Sequence, residues 1–504
     1  MLFDMHSHTY PKSMCSRIFP AALIRRAARS GLDGLVITEH HYLWSSEDLE
    51  NARAKAGVSQ SFVILAAQEV ETNLGHVLVY GADRTITGKT TLAHIRKTFP
   101  DSFLVWAHPW RDGRTPSTDE LLDPLLDGIE ILNGNQSLVE NFRGFTAWHE
   151  LQFRAIGGSD VHTKKRVAIY PTVFDHPVSD IRSLIRQMRN GNARPLYTEC
   201  REPLQNGIVV RGRFGSRMAD RNTHYAAKKI TRGEGGWKDE KNKADLVERI
   251  RRNGFEKGNY RIPRLMGLDE HSKTIIWEKI NGQSLGTLLP SVHRPVRKIL
   301  MQAAIDWMIH LHTLRLHMSS LDETRAREEQ FFCACRCIIE NIPHRFRVRF
   351  EDVLCFVEQS LKSDLNGSGQ GFVQIHGNFS PETVLFGYES VFSQKPAYVS
   401  AVECDNTVFW DPAYDLAGLL ACLDLRFWKK QDLLADISQD ELIARWAEGV
   451  SIANDESLRR RIALFTIRAN FGIIQRMITL NNDTSSTDFK WLIKRILNGY
   501  KSLK

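Results

Sequence analysis

Two histidines two residues apart stand near the start of the chain, His6 and His8 in Asp4-Met5-His6-Ser7-His8. If that run leaves a strand, residues i and i+2 point alike, and both imidazoles face one side. Further candidates recur where short apolar runs end or begin. His40 follows GLVITE, Glu69 follows FVILAAQ, His76 opens HVLVYG after a glycine, His108 follows FLVWA, and Asp160 and His162 stand two apart in GGSDVH. Imidazoles and carboxylates that converge on one point are ligands for divalent ions. A lone histidine in a core is more often a structural residue than a ligand. The case therefore rests on the set: six of the 18 histidines occupy such positions, with carboxylates beside them.

The elements that would position these residues are legible in the same runs. Continuous apolar stretches bounded by polar residues or glycine read as strands covered on both faces. They alternate with helical patterns such as PAALIRRAARSG and STDELLDPLLD. The first 200 residues are thus predicted to be α/β with a mostly parallel sheet, in which chemistry sits at the carboxyl ends of strands. The polar, breaker-rich segment NGNARPLYTECREPLQNG, 190–207, marks a boundary. Beyond it come strand-like pieces (GIVVRGRFG, HYAAKKI, KTIIWEKI) and, from residue 290, long helical patterns such as VRKILMQAAIDWMIHLHTL. A chain of 504 residues exceeds the roughly 250–300 that one core supports, so two domains are expected, 1–200 and 208–504.

With 42% hydrophobic and 25% charged residues the chain can bury two cores, and disorder is not a main theme. The net charge of +8 favours anionic partners: phosphorylated small molecules, nucleotides or nucleic acid. MLFDMHSH has no leader-like pattern, and no run approaches the roughly 20 apolar residues of a membrane span, so a soluble cytoplasmic protein without a membrane partner is expected. Eight cysteines without paired C-x-x-C spacing read as reduced thiols, the FFCACRC group (Cys333, Cys335, Cys337) as buried ones.

The order H-x-H, T-E-H, E, G-H, A-H-P-W, G-S-D-x-H closely resembles the polymerase and histidinol phosphatase (PHP) superfamily over residues 1–200. That resemblance implies a distorted (β/α)7 barrel, two or three Mn, Zn or Fe ions, and a metal-dependent phosphoric ester hydrolase, with a nuclease acting on nucleic-acid ends as the alternative. It implies that His6, His8, Glu69 and Asp160 hold one ion, that Glu69 bridges to a second bound by His76 and His108, and that His40 and His162 serve a third. Family members usually carry an acidic or histidine ligand about five residues after H-x-H; here that place is Ser13, and Glu39 or His41 are nearby substitutes. Arg111, just past His108-Pro109, and the run Lys164-Lys165-Arg166 are candidates to grip phosphoryl oxygens.

In the second half, Phe372–Phe386 with His376-Gly377-Asn378 resembles the catalytic loop of aminoglycoside-phosphotransferase-like kinases, and Trp410-Asp411-Pro412 the segment after their metal-binding motif. Ile276-Trp277-Glu278-Lys279 resembles the hinge, and Lys229 the strand lysine that holds ATP phosphates. The resemblance implies an α+β protein-kinase-like fold over 208–504 and ATP with Mg as ligand. Three positions depart from the pattern. The general-base aspartate is Asn378, whose amide cannot take a hydroxyl proton. The magnesium asparagine is Thr383, and the metal aspartate aligns with Glu403, with Asp405 as a nearby alternative. The expectation is a pseudokinase-like domain that binds a nucleotide or substrate and regulates the hydrolase, a bifunctional phosphatase and phosphotransferase being the other reading.

Overall fold

A computed structural model describes residues 1–204, 207–216, 224–230, 234–365, 371–388, 396–430, 438–481 and 484–504. The chain forms two compact units, Met1–Thr231 with Met266–Glu278, and Arg232–Leu265 with Lys279–Lys504.

In the first unit, strands β1 (Leu2–Asp4), β2 (Gly34–His40), β3 (Val63–Thr72), β4 (Gly75–Tyr80), β5 (Phe103–Trp106), β6 (Gly128–Asn133), β7 (Ala155–Gly158), β8 (Thr172–Phe174) and β9 (Ala193–Pro195) build one sheet in the order β7-β6-β5-β4-β3-β2-β1-β8-β9. Helices α1 (Pro20–Arg29), α2 (Ser46–Ala56), α3 (Leu92–Thr98), α4 (Thr118–Leu121), α5 (Leu138–Leu151) and α6 (Ile181–Arg189) connect them. Alternation along β2 assigns its faces. Val36 packs with Phe3, Met5, Leu78 and Val105, while Leu35 and Ile37 pack with Leu23, Ile24 and Ala27 of α1. Burying each such leucine or isoleucine contributes about 1.5–3 kcal/mol, which is why these runs read as continuously apolar.

The sheet has nine strands rather than seven, and it is mixed rather than mostly parallel. β1, β2 and β3 pair in parallel, as do β5, β6 and β7, but β3-β4, β4-β5, β1-β8 and β8-β9 are antiparallel. For β3-β4 the reason is chain length: only Asn73 and Leu74 separate Thr72 from its partner Gly75, and a two-residue loop can close a hairpin but not a parallel crossover. The sheet nearly closes on itself. Thr172 of β8 receives Gly157 N and donates to Gly157 O of β7, and beyond β1 and β7 Ser7 pairs in parallel with Val161.

The segment read as a boundary is itself a strand. Tyr197–Leu204 pairs antiparallel with Gly207–Phe214 from Tyr197↔Phe214 to Leu204↔Gly207, and His224–Ile230, Thr274–Glu278 and Leu265–Asp269 extend this second sheet. Phe214, Tyr225 and Ile276 pack with Phe142 and Phe145 of α5, so strands expected to open the second domain share a core with the first unit.

The second unit is mainly helical, as its periodicity predicts: Arg294–Thr313, Leu321–Cys337, His344–Leu365, Ala413–Phe427, Gln439–Gly449, Glu456–Asn481 and Thr487–Leu503. Short strands Val373–Ile375 and Val408–Trp410 pair antiparallel and carry His376 at their edge. Of the FFCACRC thiols only Cys335 is buried, because successive odd positions on a helix rotate away from the core. No described helix is long and apolar enough to cross a membrane.

Candidate metal centre

Local structure explains how the ligand atoms are aimed. Asp4, at the end of β1, is buried and accepts from Ser159 N (2.9 Å) and Ala168 N (3.2 Å), tying the His6–His8 segment to the loop after β7. Burial pushes the Asp4 carboxyl up to about 6. On β2 and β3, His40 stands in register with Glu69. His108 and Asp160 both adopt positive φ, 37° and 48°, a conformation that non-glycine residues avoid and that surrounding contacts must hold. A Cβ at Gly158 would overlap Glu130 Oε1 and the His6 Cβ, so glycine is required where β7 passes the first imidazole.

Glu69 is 2% exposed and its two oxygens sort the imidazoles into two groups. Oε2 faces His8 Nε2 (3.0 Å), His6 Nε2 (3.3 Å) and His40 Nε2 (3.4 Å). Oε1 faces His76 Nδ1 (2.8 Å) and His108 Nε2 (3.0 Å). Asp160 Oδ1 joins the first group, 3.5 Å from His6 Nε2 and 3.4 Å from His8 Nε2, and the two Nε2 atoms are 3.1 Å apart. The atoms of His6, His8 and Asp160, and those of Glu69, His76 and His108, each lie close enough to share one ion. His162 stands beside them, its ring 4.9 Å from that of His8, with Nδ1 held by the Asp160 carbonyl at 2.9 Å.

The carboxylates and imidazoles of this cluster shift one another's protonation strongly. Burial alone would lower the His8 and His6 pKa values, but Asp160 and Glu69 outweigh it, raising His8 to about 9 and His6 well above its ordinary value, with Glu130 also acting on His6. Burial would raise Glu69 and Asp160; the His6 charge and the surrounding imidazole hydrogen bonds instead hold both well below the usual carboxylate range. His40 is pushed down to about 4, chiefly by burial, and His162 is lowered for the same reason, so both present neutral imidazoles.

The sequence reading missed Glu130. It is fully buried in β6 and accepts from His6 Nδ1 (3.0 Å), His108 N (3.0 Å) and Asn133 Nδ2 (2.9 Å). With Nδ1–H donating to Glu130, the His6 Nε2 edge is fixed toward Glu69 and Asp160, the arrangement that orients metal-binding imidazoles. A carboxylate inside the apolar run GIEILN was the available signal.

Arg111 reaches the same cluster: its Nη2 donates to Asn133 Oδ1 (3.2 Å) and pairs with Asp160 Oδ2. Lys164, Lys165 and Arg166 are exposed. Glu39 is consumed elsewhere, accepting from Thr9 N (3.0 Å), the Thr9 hydroxyl and Trp44 Nε1 (3.1 Å), and His41 is exposed.

The kinase-like residues fall in two places. Lys229 and Glu278 lie on paired strands of the first unit, opposite Thr274 and Tyr225 respectively, with Lys229 exposed. Asn378, Thr383 and Glu403 belong to the second unit. Asn378 Nδ2 donates to Glu403 Oε2 at 3.4 Å, and the buried Thr383 hydroxyl meets Asn378 O at 2.9 Å and Ser380 N at 2.9 Å. The Asp405 side chain lies outside the described residues. Gly377 has φ 78°, and a Cβ there would overlap Asn406 O, so the turn before Asn378 demands glycine.

No family model and no curated protein matches the chain. Solved structures that it is similar to include aminoglycoside phosphotransferase APH(3'')-Id from Streptomyces rimosus in complex with ADP and streptomycin (14% identity, 53% of this chain and 92% of that one, TM-score 0.37). An ethanolamine kinase from Plasmodium vivax matches at 13% identity over 60% of this chain and 81% of that one, TM-score 0.40. PsfC from Pseudomonas syringae matches at 21% identity over 39% of this chain and 91% of that one, TM-score 0.31. The expectation of a phosphoric ester hydrolase is corrected to this extent: the aminoglycoside and ethanolamine proteins that the chain is similar to are named as a phosphotransferase and a kinase, not as hydrolases.

Proposed function

We propose that the chain is a metal-dependent enzyme of phosphoryl-group transfer, with residues 1–200 providing a centre for two or three divalent ions and 208–504 a kinase-like part that binds a nucleotide and a small-molecule acceptor. One observation carries the proposal: the two oxygens of Glu69 divide five imidazoles into two groups, so that this carboxylate and those imidazoles would be available to hold neighbouring ions. Such paired ions, when bound, offset charge on the oxygens of an in-line phosphoryl displacement. The protein's own groups orient and exclude. Glu130 fixes the His6 tautomer, burial of His6, His8 and Asp160 keeps water from competing, and Arg111 is placed to steady a phosphoryl oxygen once its hold on Asp160 is shared. In the kinase-like part, Asn378 cannot take the acceptor's proton, and Glu403 is the carboxylate beside it.

The test is a transfer assay with γ-labelled ATP and GTP and a panel of amine- and hydroxyl-bearing small molecules, using protein loaded with Mn or Zn, stripped by chelation, or carrying Asp160→Ala. Metal-dependent appearance of a labelled acceptor supports the proposal. Protein that binds neither ion nor nucleotide refutes it.

A further inference from the structure

We propose that Cys15 is a thiolate ligand of the metal centre, where with His8 and His40 it would hold an ion. The inference rests on the metal-centre reading above and adds to it a donor that neither the ligand pattern nor the family resemblance supplies.

The ligand atoms of His8, Cys15 and His40 lie within 4.8 Å of one another. The loop that carries Cys15 is tied to both histidines, to the ring of His8 and to the backbone of His40. Ser13 Oγ meets His8 Nδ1 at 3.4 Å and receives His40 N at 3.1 Å, and Ser16 Oγ donates to His8 O at 3.0 Å. Arg17 N donates to His162 O at 2.9 Å, so the loop also reaches the remaining histidine of this corner. The rings of His8 and His40 stack with centroids 4.6 Å apart.

The other donors proposed for this corner are already engaged or turned to solvent. Ser13 is spent on the His8 ring and the His40 backbone amide, Glu39 is held by Thr9 and Trp44, and His41 is exposed. Cys15 is a free cysteine on the open side of the cluster, reachable by an incoming ion. Binding would exchange the S–H proton for the metal and release it to solvent. A thiolate among imidazoles shifts selectivity toward Zn, Fe or Co and away from Mg or Mn.

Cobalt is the probe. Metal-free full-length protein titrated with Co(II) should develop visible d–d bands from nitrogen and oxygen ligation together with a thiolate-to-cobalt charge-transfer band in the near ultraviolet. Cys15→Ser should abolish the charge-transfer band and keep most of the d–d intensity, whereas replacing Cys200, Cys333, Cys337 and Cys355 together by serine should leave both. In parallel, zinc should slow alkylation of Cys15 by about tenfold or more, followed by peptide mass spectrometry, without protecting exposed Cys200 in the same sample. Cobalt bound with d–d bands but no Cys15-dependent charge transfer, or a Cys15 alkylation rate indifferent to zinc, would overturn the proposal while leaving the metal centre intact. Absence of any cobalt spectrum would overturn both.

Discussion

Two buried polar regions of this protein solve the same problem in opposite ways. In the second unit, Asp415 is 1% exposed and fully matched, accepting from His376 N (2.7 Å), Gly377 N (2.8 Å) and His312 Nε2 (3.2 Å), while His312 Nδ1 receives Trp446 Nε1 (3.1 Å). Every donor there has an acceptor. In the first unit, acceptors crowd against acceptors: Nε2 of His6 lies 3.1 Å from Nε2 of His8, and both face carboxylate oxygens. Such a cluster is stable only with added positive charge, supplied by protons or by metal ions. A satisfied polar network holds a loop in place, whereas an acceptor-rich one calls for added positive charge.

The largest effect should come from removing the shared acceptor. Glu69→Ala is expected to strip nearly all bound metal, measured by elemental analysis against protein concentration, because both groups lose a ligand at once. A variant that keeps its full metal content would erase the contrast between the two regions.

Next in size, Asp415→Ala should cost about 3–5 kcal/mol in denaturant unfolding of the second unit, since it leaves buried donors unpaired, and should leave metal content unchanged. Its titration sharpens the same point. Burial opposes ionisation of Asp415, but the His312 hydrogen bond and charge hold its carboxyl below the ordinary value. A depressed folded value means that the contribution is fully present above about pH 3.9 and is lost as pH falls through the lower folded value. Asp415→Asn should therefore flatten acid unfolding in that window.

Glu130→Gln should be milder. The amide keeps the shape but weakens the hold on His6 Nδ1, so metal affinity is expected to fall about 10–100-fold with the fold intact, as judged by competition with a chromophoric chelator. Affinity unchanged within about twofold would make Glu130 a purely structural carboxylate.

The smallest expected signal is protonic. In ion-free protein His8 holds its proton up to about pH 9, because Asp160 and Glu69 outweigh the cost of burial. An incoming ion must displace that proton, so affinity should rise with pH up to that value and loading should release protons, seen by calorimetry in two buffers of different ionisation heat. Loading without proton release would show that the imidazoles were already neutral.

Much of the candidate site was legible because it sits on local rules. His6 and His8 share a strand exit at i and i+2, Glu69 and His108 close apolar runs, and Asp160 and His162 repeat the two-residue spacing, so the spatial gathering of these groups follows from putting those run ends on one side of one sheet. The helical periodicity beyond residue 290 likewise needs no distant partner to be read.

What only the tertiary structure decided involves residues far apart in sequence. Glu130 meets His6 across 124 positions, and no periodicity encodes that pairing; within its own strand it is simply one more buried residue. Ser13, Glu39 and Cys15 were all near the right place in sequence, yet which one offers a free donor depends on loop hydrogen bonds to Thr9, Trp44 and His40. The boundary strand Tyr197–Leu204 reads as a polar linker because its side chains are hydrophilic, and it is ordered by backbone pairing with Gly207–Phe214, an interaction that carries almost no side-chain signature. Local sequence thus determined which chemical groups this protein has at its strand ends, and the closure of the sheet determined which of them face one another, because side-chain direction is a local property while distance between strands is not.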